Sequence, residues 1–331
     1  MSVAGPLKAS DISDLRTALD FLAQHPGQLV STKVEADPYL EIAGVYRQVG
    51  AGTPVAPPTR IGPAMLFENV KGYDMSVVAG ILASRKRTAL LLGSTPERLL
   101  FDLIDALNAP VAPVLVTRDQ APCQEVVIEP PFDVNKVIPP IVSTERDAGA
   151  FFNMGLMRAE DPETGVSDVT IHRMCVLGPD RMSVSFTPGR HIDVFRRKAE
   201  AAGRPLPVSV SIGVDPAIYV ATSFEAPTTP LGVDELTIGG GLRGRPVELV
   251  ECVTQPGAKA VAHAEIVLEG EFRPGERADE DEKFAILDRE VESINSGLFG
   301  AGVYPGCALE RYGGHERSLH RQVRAGRSVV K

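Results

Sequence analysis

From Ala150 to Phe272 the chain is a succession of short apolar runs broken by turn residues, with a single amphipathic helix among them. That pattern restricts the middle of the protein to a β-barrel or a β-sandwich. Asp168 to Leu177 reads as a strand, Gly178-Pro179-Asp180 as a turn, and Arg181 to Phe186 as the returning strand. His191 to Ala202 is the helix: Ile192, Phe195 and Ala199 share one face, and Gly203 stops it. Val208 to Val214, Ala217 to Thr222, Val247 to Thr254 and Ala264 to Phe272 are expected as further strands.

The N-terminal third has a different texture. Leu15, Ala18, Leu19 and Leu22 form a helical stripe within Asp14 to Gln24, which ends at His25-Pro26-Gly27. Thr95-Pro96 opens a second helix, with Leu99, Leu100, Leu103, Ile104 and Leu107 as its expected buried face. Met65 to Phe67, Ala89 to Leu92 and Val111 to Val116 fit buried strands. The fold class expected is therefore α+β: an N-terminal α/β domain over 1–117, then a β domain over 118–275. Residues 118–150, with Pro122, Pro130, Pro131, Pro139 and Pro140, read as an extended connector with room for a short strand such as Glu125 to Ile128. Residues 276–331 read as a tail. It opens on the charge run Asp279-Glu280-Asp281-Glu282 and becomes dense in Arg, Gly and Ser after Glu310, a solvated composition.

Charge removes two classes of partner. Basic residues number 34 against 43 acidic, for a net charge of −9. Nucleic-acid and anionic-membrane binders need a basic face, so neither partner is expected. No apolar run approaches the ~18 residues that span a bilayer, and MSVAGPLKASD lacks a signal-peptide core. Cys123, Cys175, Cys252 and Cys307 lie far apart with no CxxC pair, which fits neither a zinc ribbon nor a disulfide framework. The expectation is a cytoplasmic protein with reduced thiols.

Three features bear on chemistry. Gly239 to Gly244 matches GxGxxG, but Arg245 to Val250 reads as a strand. A dinucleotide fingerprint needs a helix opening at the last glycine, so that reading is set aside. Arg173 sits inside an otherwise apolar strand. It either faces outward from a half-exposed sheet or meets a carboxylate or other anion, as a buried guanidinium must. Asp168, His191 and Glu235 offer an O, N, O ligand set suited to Mn²⁺, although their spacing alone does not bring them together. His172 and His263 read as core histidines, and His25, His315 and His320 as surface ones.

Five ordered segments carry a family resemblance. Asp161-Pro162-Glu163-Thr164-Gly165-Val166-Ser167-Asp168-Val169-Thr170-Ile171-His172-Arg173-Met174 resembles the signature of the UbiD-type decarboxylases, which use prenylated flavin mononucleotide (prenylated FMN). Leu66 to Tyr73, Asp147-Ala148-Gly149, Glu235 with Gly239 to Val250, and Ala264 to Glu271 resemble other segments of that family, in its order. The resemblance implies a split β-barrel flavin-binding domain after the N-terminal α/β domain. It also implies a family C-terminal α/β domain, which has no recognisable counterpart here. By the same resemblance, Mn²⁺ falls on Asp168, His191 and Glu235, and K⁺ on the backbone around Ala221 and Thr222. Thr170, Ile171, Arg173, Arg190 and His191 fall on flavin-contacting positions, with Asp168 and Glu235 reaching the cofactor through the metal. Asp168 stands where family members commonly have Asn, which adds a negative charge beside the cofactor phosphate.

The implied reaction is reversible, non-oxidative decarboxylation of an aromatic, heteroaromatic or other α,β-unsaturated carboxylic acid. Arg173 would serve the carboxylate, and a glutamic acid would protonate the product. CO₂, a flavin prenyltransferase as cofactor supplier, and a homo-oligomer are the implied partners. The family's PEGPFGE loop is absent; its first glutamate falls on Glu280 and its second on Ala285, so Glu280 and Glu282 are the acid candidates. Two alternatives stay open: a truncated, non-catalytic flavin-binding fragment, and a metal-dependent hydrolase. Strand parity adds a condition. Asp168 and Arg173 are an odd number of positions apart and face opposite ways in an ideal strand, so a shared site needs Asp168 at the strand mouth or a bulge.

Overall fold

A computed structural model describes residues 5–49, 62–224 and 228–278, together with the backbone of 327–330. The chain begins with α1 (Leu15–Ala23), where the Asp14 carboxylate accepts the Thr17 amide at 2.7 Å and caps the first turn. β1 (Leu29–Thr32), α2 (Glu41–Gln48), β2 (Ala64–Phe67) and β3 (Val77–Ala79) follow. β2 is the central strand, parallel to β1 and antiparallel to β3. Two helices, α3 (Arg85–Leu91) and α4 (Leu99–Asn108), complete the first part.

Next come β4 (Val114–Leu115), the single turn α5 (Val134–Val137), β5 (Phe151–Glu160), β6 (Ser167–Val176) and β7 (Met182–Ser185). α6 (His191–Ala201), β8 (Leu206–Ile212), α7 (Pro216–Ala221) and α8 (Glu235–Arg243) follow. The last elements are β9 (Glu248–Glu251), β10 (Lys259–Val261), β11 (Ile266–Phe272) and β12 (Arg327–Val330). Six strands close into a barrel in the order β11-β12-β7-β6-β5-β8, with β8 pairing back on β11. Met157, Met174, Val184, Val208, Val210 and Phe272 pack into one core, to which α6 adds Ile192, Phe195 and Ala199. A second core runs from α1 (Leu22) and α3 (Leu91) to Val169 of β6 and Leu236 of α8. The N-terminal elements and the barrel therefore share apolar packing.

The structure corrects several expectations. Ala89 to Leu92 is the end of α3, not a strand; Ser84 Oγ accepts the Arg87 amide at 3.4 Å and starts that helix. Ala217 to Thr222 falls on α7, where Asp215 caps the Ala217 amide at 2.8 Å and Pro216 takes the first position. Apolar runs this short carry no usable period, and the cap residues decide. Glu125 to Ile128 forms no strand; the connector instead makes 3₁₀ turns over Arg118–Gln120 and Pro122–Gln124. Val111 to Val116 contracts to Val114–Leu115, because the Val111 amide bonds to Thr237 O of α8. On α4, Leu100 and Ile104 are exposed, at 56% and 43%. Its buried face is Leu99, Leu103 and Ala106. The stretch expected as a solvated tail supplies β12, the barrel's sixth strand.

The glycines of the GxGxxG match lie inside α8, which ends there rather than opens; Gly244 closes it in the left-handed region. Their role is close approach. A Cβ on Gly241 would stand 2.8 Å from Ala106 O and 2.9 Å from Ala109 O, at the end of α4.

Candidate active site

The first cluster forms where β6, α6 and α8 meet. Ser167, the first residue of β6, donates to Asp234 Oδ2 at 2.6 Å. Asp234 is also the N-cap of α8, accepting the Leu236 amide at 2.8 Å. That pair of bonds brings Glu235 against β6, where Glu235 Oε2 accepts the Val169 amide at 3.4 Å. On α6 a buried carboxylate shapes the preceding turn: Asp193 accepts the Gly189 amide at 3.0 Å and is balanced by Arg196 at 3.0 Å and Arg197 at 2.9 Å. The turn so fixed carries Arg190 and His191, and His191 Nδ1 meets Asp168 Oδ1 at 2.7 Å.

Asp168, His191 and Glu235, scattered in sequence, are thus gathered at one place. Asp168 and Glu235 are both buried. Burial pushes the Glu235 carboxyl up to about 8, and the neighbouring Asp168 charge adds to the effect. Asp168 is also raised by burial, against the lowering effect of His191. Two buried carboxylates that feel each other's charge, with an imidazole on one of them, are donor types whose chemistry fits a divalent cation. Among the described residues no three such side chains already stand as a metal-holding group. His191 instead turns Nδ1 to Asp168, and Glu235 turns to the backbone of β6.

Arg173 belongs to a second cluster. Its side chain is only 10% exposed. The guanidinium lies over the Phe151 ring, 3.7 Å from the centroid, and Nε donates to Asn153 Oδ1 at 2.9 Å. Asp147 Oδ1 is 3.1 Å from Nη2, so the buried carboxylate that the strand-interior arginine demanded is Asp147. The contact is one of charge: neither Nη1 nor Nη2 has a hydrogen-bond acceptor among the described residues. Arg173 takes these contacts from β5 and the connector, whereas Asp168 takes its own from α6, as strand parity requires. The ladder does carry a bulge, but on β5, which leaves the alternation of β6 and the opposite facing of Asp168 and Arg173 unchanged. Phe152 pairs with Met174 and Gly155 with His172, so Asn153 and Met154 together oppose Arg173.

The remaining candidates are placed as follows. Thr170 pairs with Met157 across the barrel wall, and Ile171 packs against the core shared with α1. Arg190 is the N-cap residue of α6. Ala221 ends α7, with its carbonyl accepting the Phe224 amide at 3.3 Å, and the Thr222 hydroxyl donates to Ile218 O at 3.0 Å. His172 is half-buried beside Phe186 rather than a core histidine, with its Nε2 enclosed and without a hydrogen-bond partner among the described residues. His263 pairs with Glu248 at 2.7 Å. Glu280, Glu282 and Ala285 lie outside the described residues. Sequence reasoning gave no role to Phe151, Asn153 or Asp147; the signal available was Gly155, whose Cβ would stand 2.6 Å from Met174 Cε and which marks the bulge.

Comparison with known proteins places these residues in context. The 3-octaprenyl-4-hydroxybenzoate carboxy-lyase N-terminal domain (UbiD_N) matches residues 21–107, and the Rift-related domain of the same carboxy-lyase (UbiD) matches residues 114–287. The chain is 41% identical over 273 residues to gallate decarboxylase of Lactiplantibacillus plantarum, covering 81% of this chain and 56% of that protein. The crystal structure of apo 3,4-dihydroxybenzoic acid decarboxylase of Klebsiella pneumoniae superposes with a TM-score of 0.77 at 52% identity. That match covers 82% of this chain and 56% of the other. An evolved dimeric form of a UbiD-class enzyme of Pelotomaculum thermopropionicum, in complex with prFMN, gives 0.73 at 38% identity over 80% and 58%. The chain spans about half the length of the curated relatives it matches.

Proposed function

Because this chain belongs to the UbiD family of carboxy-lyases, we propose that it takes part in the non-oxidative decarboxylation of an aromatic carboxylic acid, using prenylated FMN. The observation that carries the reading is Arg173: a buried, oriented guanidinium whose two outer nitrogens have no hydrogen-bond acceptor among the described residues. A carboxylate is the ligand that fits such an edge. Two relatives act on hydroxylated benzoic acids by name, which supports an aromatic substrate.

Prenylated FMN, when bound, supplies the electron sink for loss of CO₂. The protein's part is to bind and orient. Arg173 holds the substrate carboxylate, and Thr170, Ile171, Arg190 and His191 line the flavin site. Asp168, His191 and Glu235 would hold Mn²⁺ beside the flavin phosphate, which returns the buried Glu235 carboxyl to its anionic form. K⁺ falls to the backbone at Ala221 and Thr222. Glu280 and Glu282 are the proton donors in this reading, and the reaction runs in both directions. A flavin prenyltransferase supplies the cofactor, and the protein works in the cytoplasm as a homo-oligomer. A second reading is flavin binding without turnover.

The test is co-production with a flavin prenyltransferase. The mass and visible spectrum of the bound ligand are recorded, and exchange of labelled CO₂ into 3,4-dihydroxybenzoate and gallate is followed. Bound mature cofactor with exchange that Arg173→Ala abolishes is the expected result. Stoichiometric cofactor with no exchange on any aromatic acid refutes the catalytic reading in favour of the second.

A further inference from the structure

Arg173 is held in an unusual way for a buried cation. A buried arginine normally meets a carboxylate through two parallel hydrogen bonds, which satisfies its charge and its outer donors together. Here the two needs are separated. Asp147 supplies negative charge at 3.1 Å from Nη2, yet its alignment makes no hydrogen bond to Nη1 or Nη2. Its other oxygen is committed elsewhere: Oδ2 accepts the Ser143 amide at 2.8 Å and the Thr144 amide at 3.2 Å. Those bonds anchor Asp147 in its turn.

Orientation comes from a different quarter. The Phe151 ring sets the plane of the guanidinium, and Asn153 Oδ1 takes the Nε hydrogen. Asn153 reaches Nε because it sits on the β5 bulge, where two residues oppose one. The bulge is itself held. The Met154 carbonyl accepts the Tyr219 hydroxyl at 3.1 Å, and the same hydroxyl accepts the Gly213 amide at 2.9 Å.

We propose that Phe151, Asn153 and Asp147 form a positioning cradle for Arg173, which neutralises and orients the guanidinium while leaving its outer edge for a carboxylate ligand. Asn153 is the positioning residue, Tyr219 locks the bulge that presents it, and Asp147 weakens the site's intrinsic pull on anions. That the outer edge receives a substrate carboxylate rests on the reading above; the cradle is testable without it.

The experiment follows the Arg173 Nε–H resonance in the full chain labelled with ¹⁵N-arginine, assigned by its loss in Arg173→Lys. Removing an acceptor from a charged donor is worth at least about ten-fold in the opening equilibrium. Asn153→Ala is therefore expected to speed Nε–H exchange with water by at least about ten-fold. Asn153→Asp keeps the acceptor and is expected to leave it slow. Tyr219→Phe releases the bulge while keeping the ring, so it serves even if Asn153→Ala does not fold, and it is expected to speed exchange. Asp147→Asn keeps an acceptor for the two turn amides but removes the compensating charge, and should tighten benzoate binding several-fold. Unchanged Nε–H exchange in Asn153→Ala, or in Tyr219→Phe where the first does not fold, overturns the cradle. Equal benzoate binding by Asp147→Asn and the parent overturns the role given to Asp147. Exchange that responds as expected while no variant binds benzoate upholds the cradle and refutes the carboxylate reading.

Discussion

Replacing Arg87 with methionine tests how the N-terminal α/β part is held. Arg87 is fully buried in α3. Its guanidinium donates to Ile81 O at 3.1 Å, Gly62 O at 2.7 Å, Gly80 O at 2.8 Å and, more weakly, Gln28 O at 3.5 Å. No carboxylate among the described residues pairs with it; burial lowers its pKa, and the nearby Tyr46 phenol acts in the opposite direction. The charge is tolerated because four carbonyls from three segments converge on it. Methionine keeps the bulk but leaves Ile81 O and Gly62 O without a donor, while Gly80 O keeps the Ala83 amide at 3.1 Å. At about 1–3 kcal/mol for each buried acceptor left unsatisfied, the gross loss is on the order of 4 kcal/mol. Recovering part of the desolvation cost of the cation offsets about half of that. A net destabilisation of about 2 kcal/mol remains, a drop of roughly 4–8 °C in Tm for a unit of this size. Urea unfolding followed by far-ultraviolet circular dichroism measures it, because the midpoint should fall at constant slope. Arg87→Lys keeps the charge on one nitrogen that cannot reach every carbonyl, and should fall between. An Arg87→Met protein within about 0.5 kcal/mol of the parent, a change typical of an unimportant surface site, would refute the reasoning. It would mean that desolvation cancels the carbonyl bonds.

Two further outcomes follow from the packing. Gly241→Ala puts a Cβ against Ala106 O and Ala109 O, both backbone atoms. It should cost about 1–3 kcal/mol by forcing α4 and α8 apart, seen as a lowered melting midpoint, whereas a neutral result would show that the helices separate freely. His172 is half-buried with its Nε2 enclosed, and desolvation brings its pKa down to about 4. The unfolded chain binds a proton near 6.5, so below that pH it binds more protons than the folded one. Stability should fall as pH drops from about 6.5 to about 4 and then level off. His172→Phe should flatten that part of the stability–pH curve, and an unchanged slope would show that another group is responsible.

The site was legible to different depths. Asp168, His191 and Glu235 follow from the family resemblance; in the structure Asp193 fixes the turn that carries His191 to Asp168, and Asp234 caps the helix that carries Glu235 to the backbone of β6. Arg173 stood out from residue chemistry alone, as a guanidinium in an apolar strand. Its partners did not, because Asp147 and Asn153 come from the connector and a neighbouring strand. α1 and α6 were readable because each carries a helical stripe with a stop signal. Ala89 to Leu92 and Ala217 to Thr222 were misread because a run of a few apolar residues has no period, and Ser84 and Asp215 were the deciding letters.

By itself the sequence determined the class of fold and the residue types of the site. Strand-patterned runs after Ala150 can bury their apolar faces only against one another, which forces a closed or stacked sheet. What the tertiary structure alone decided is which way those residue types are aimed. One extra residue in β5 opposite Arg173 turns Asn153 onto the guanidinium, and the Asp193-bound turn swings His191 onto Asp168. Both depend on contacts between segments far apart in the chain, where local propensity carries no information.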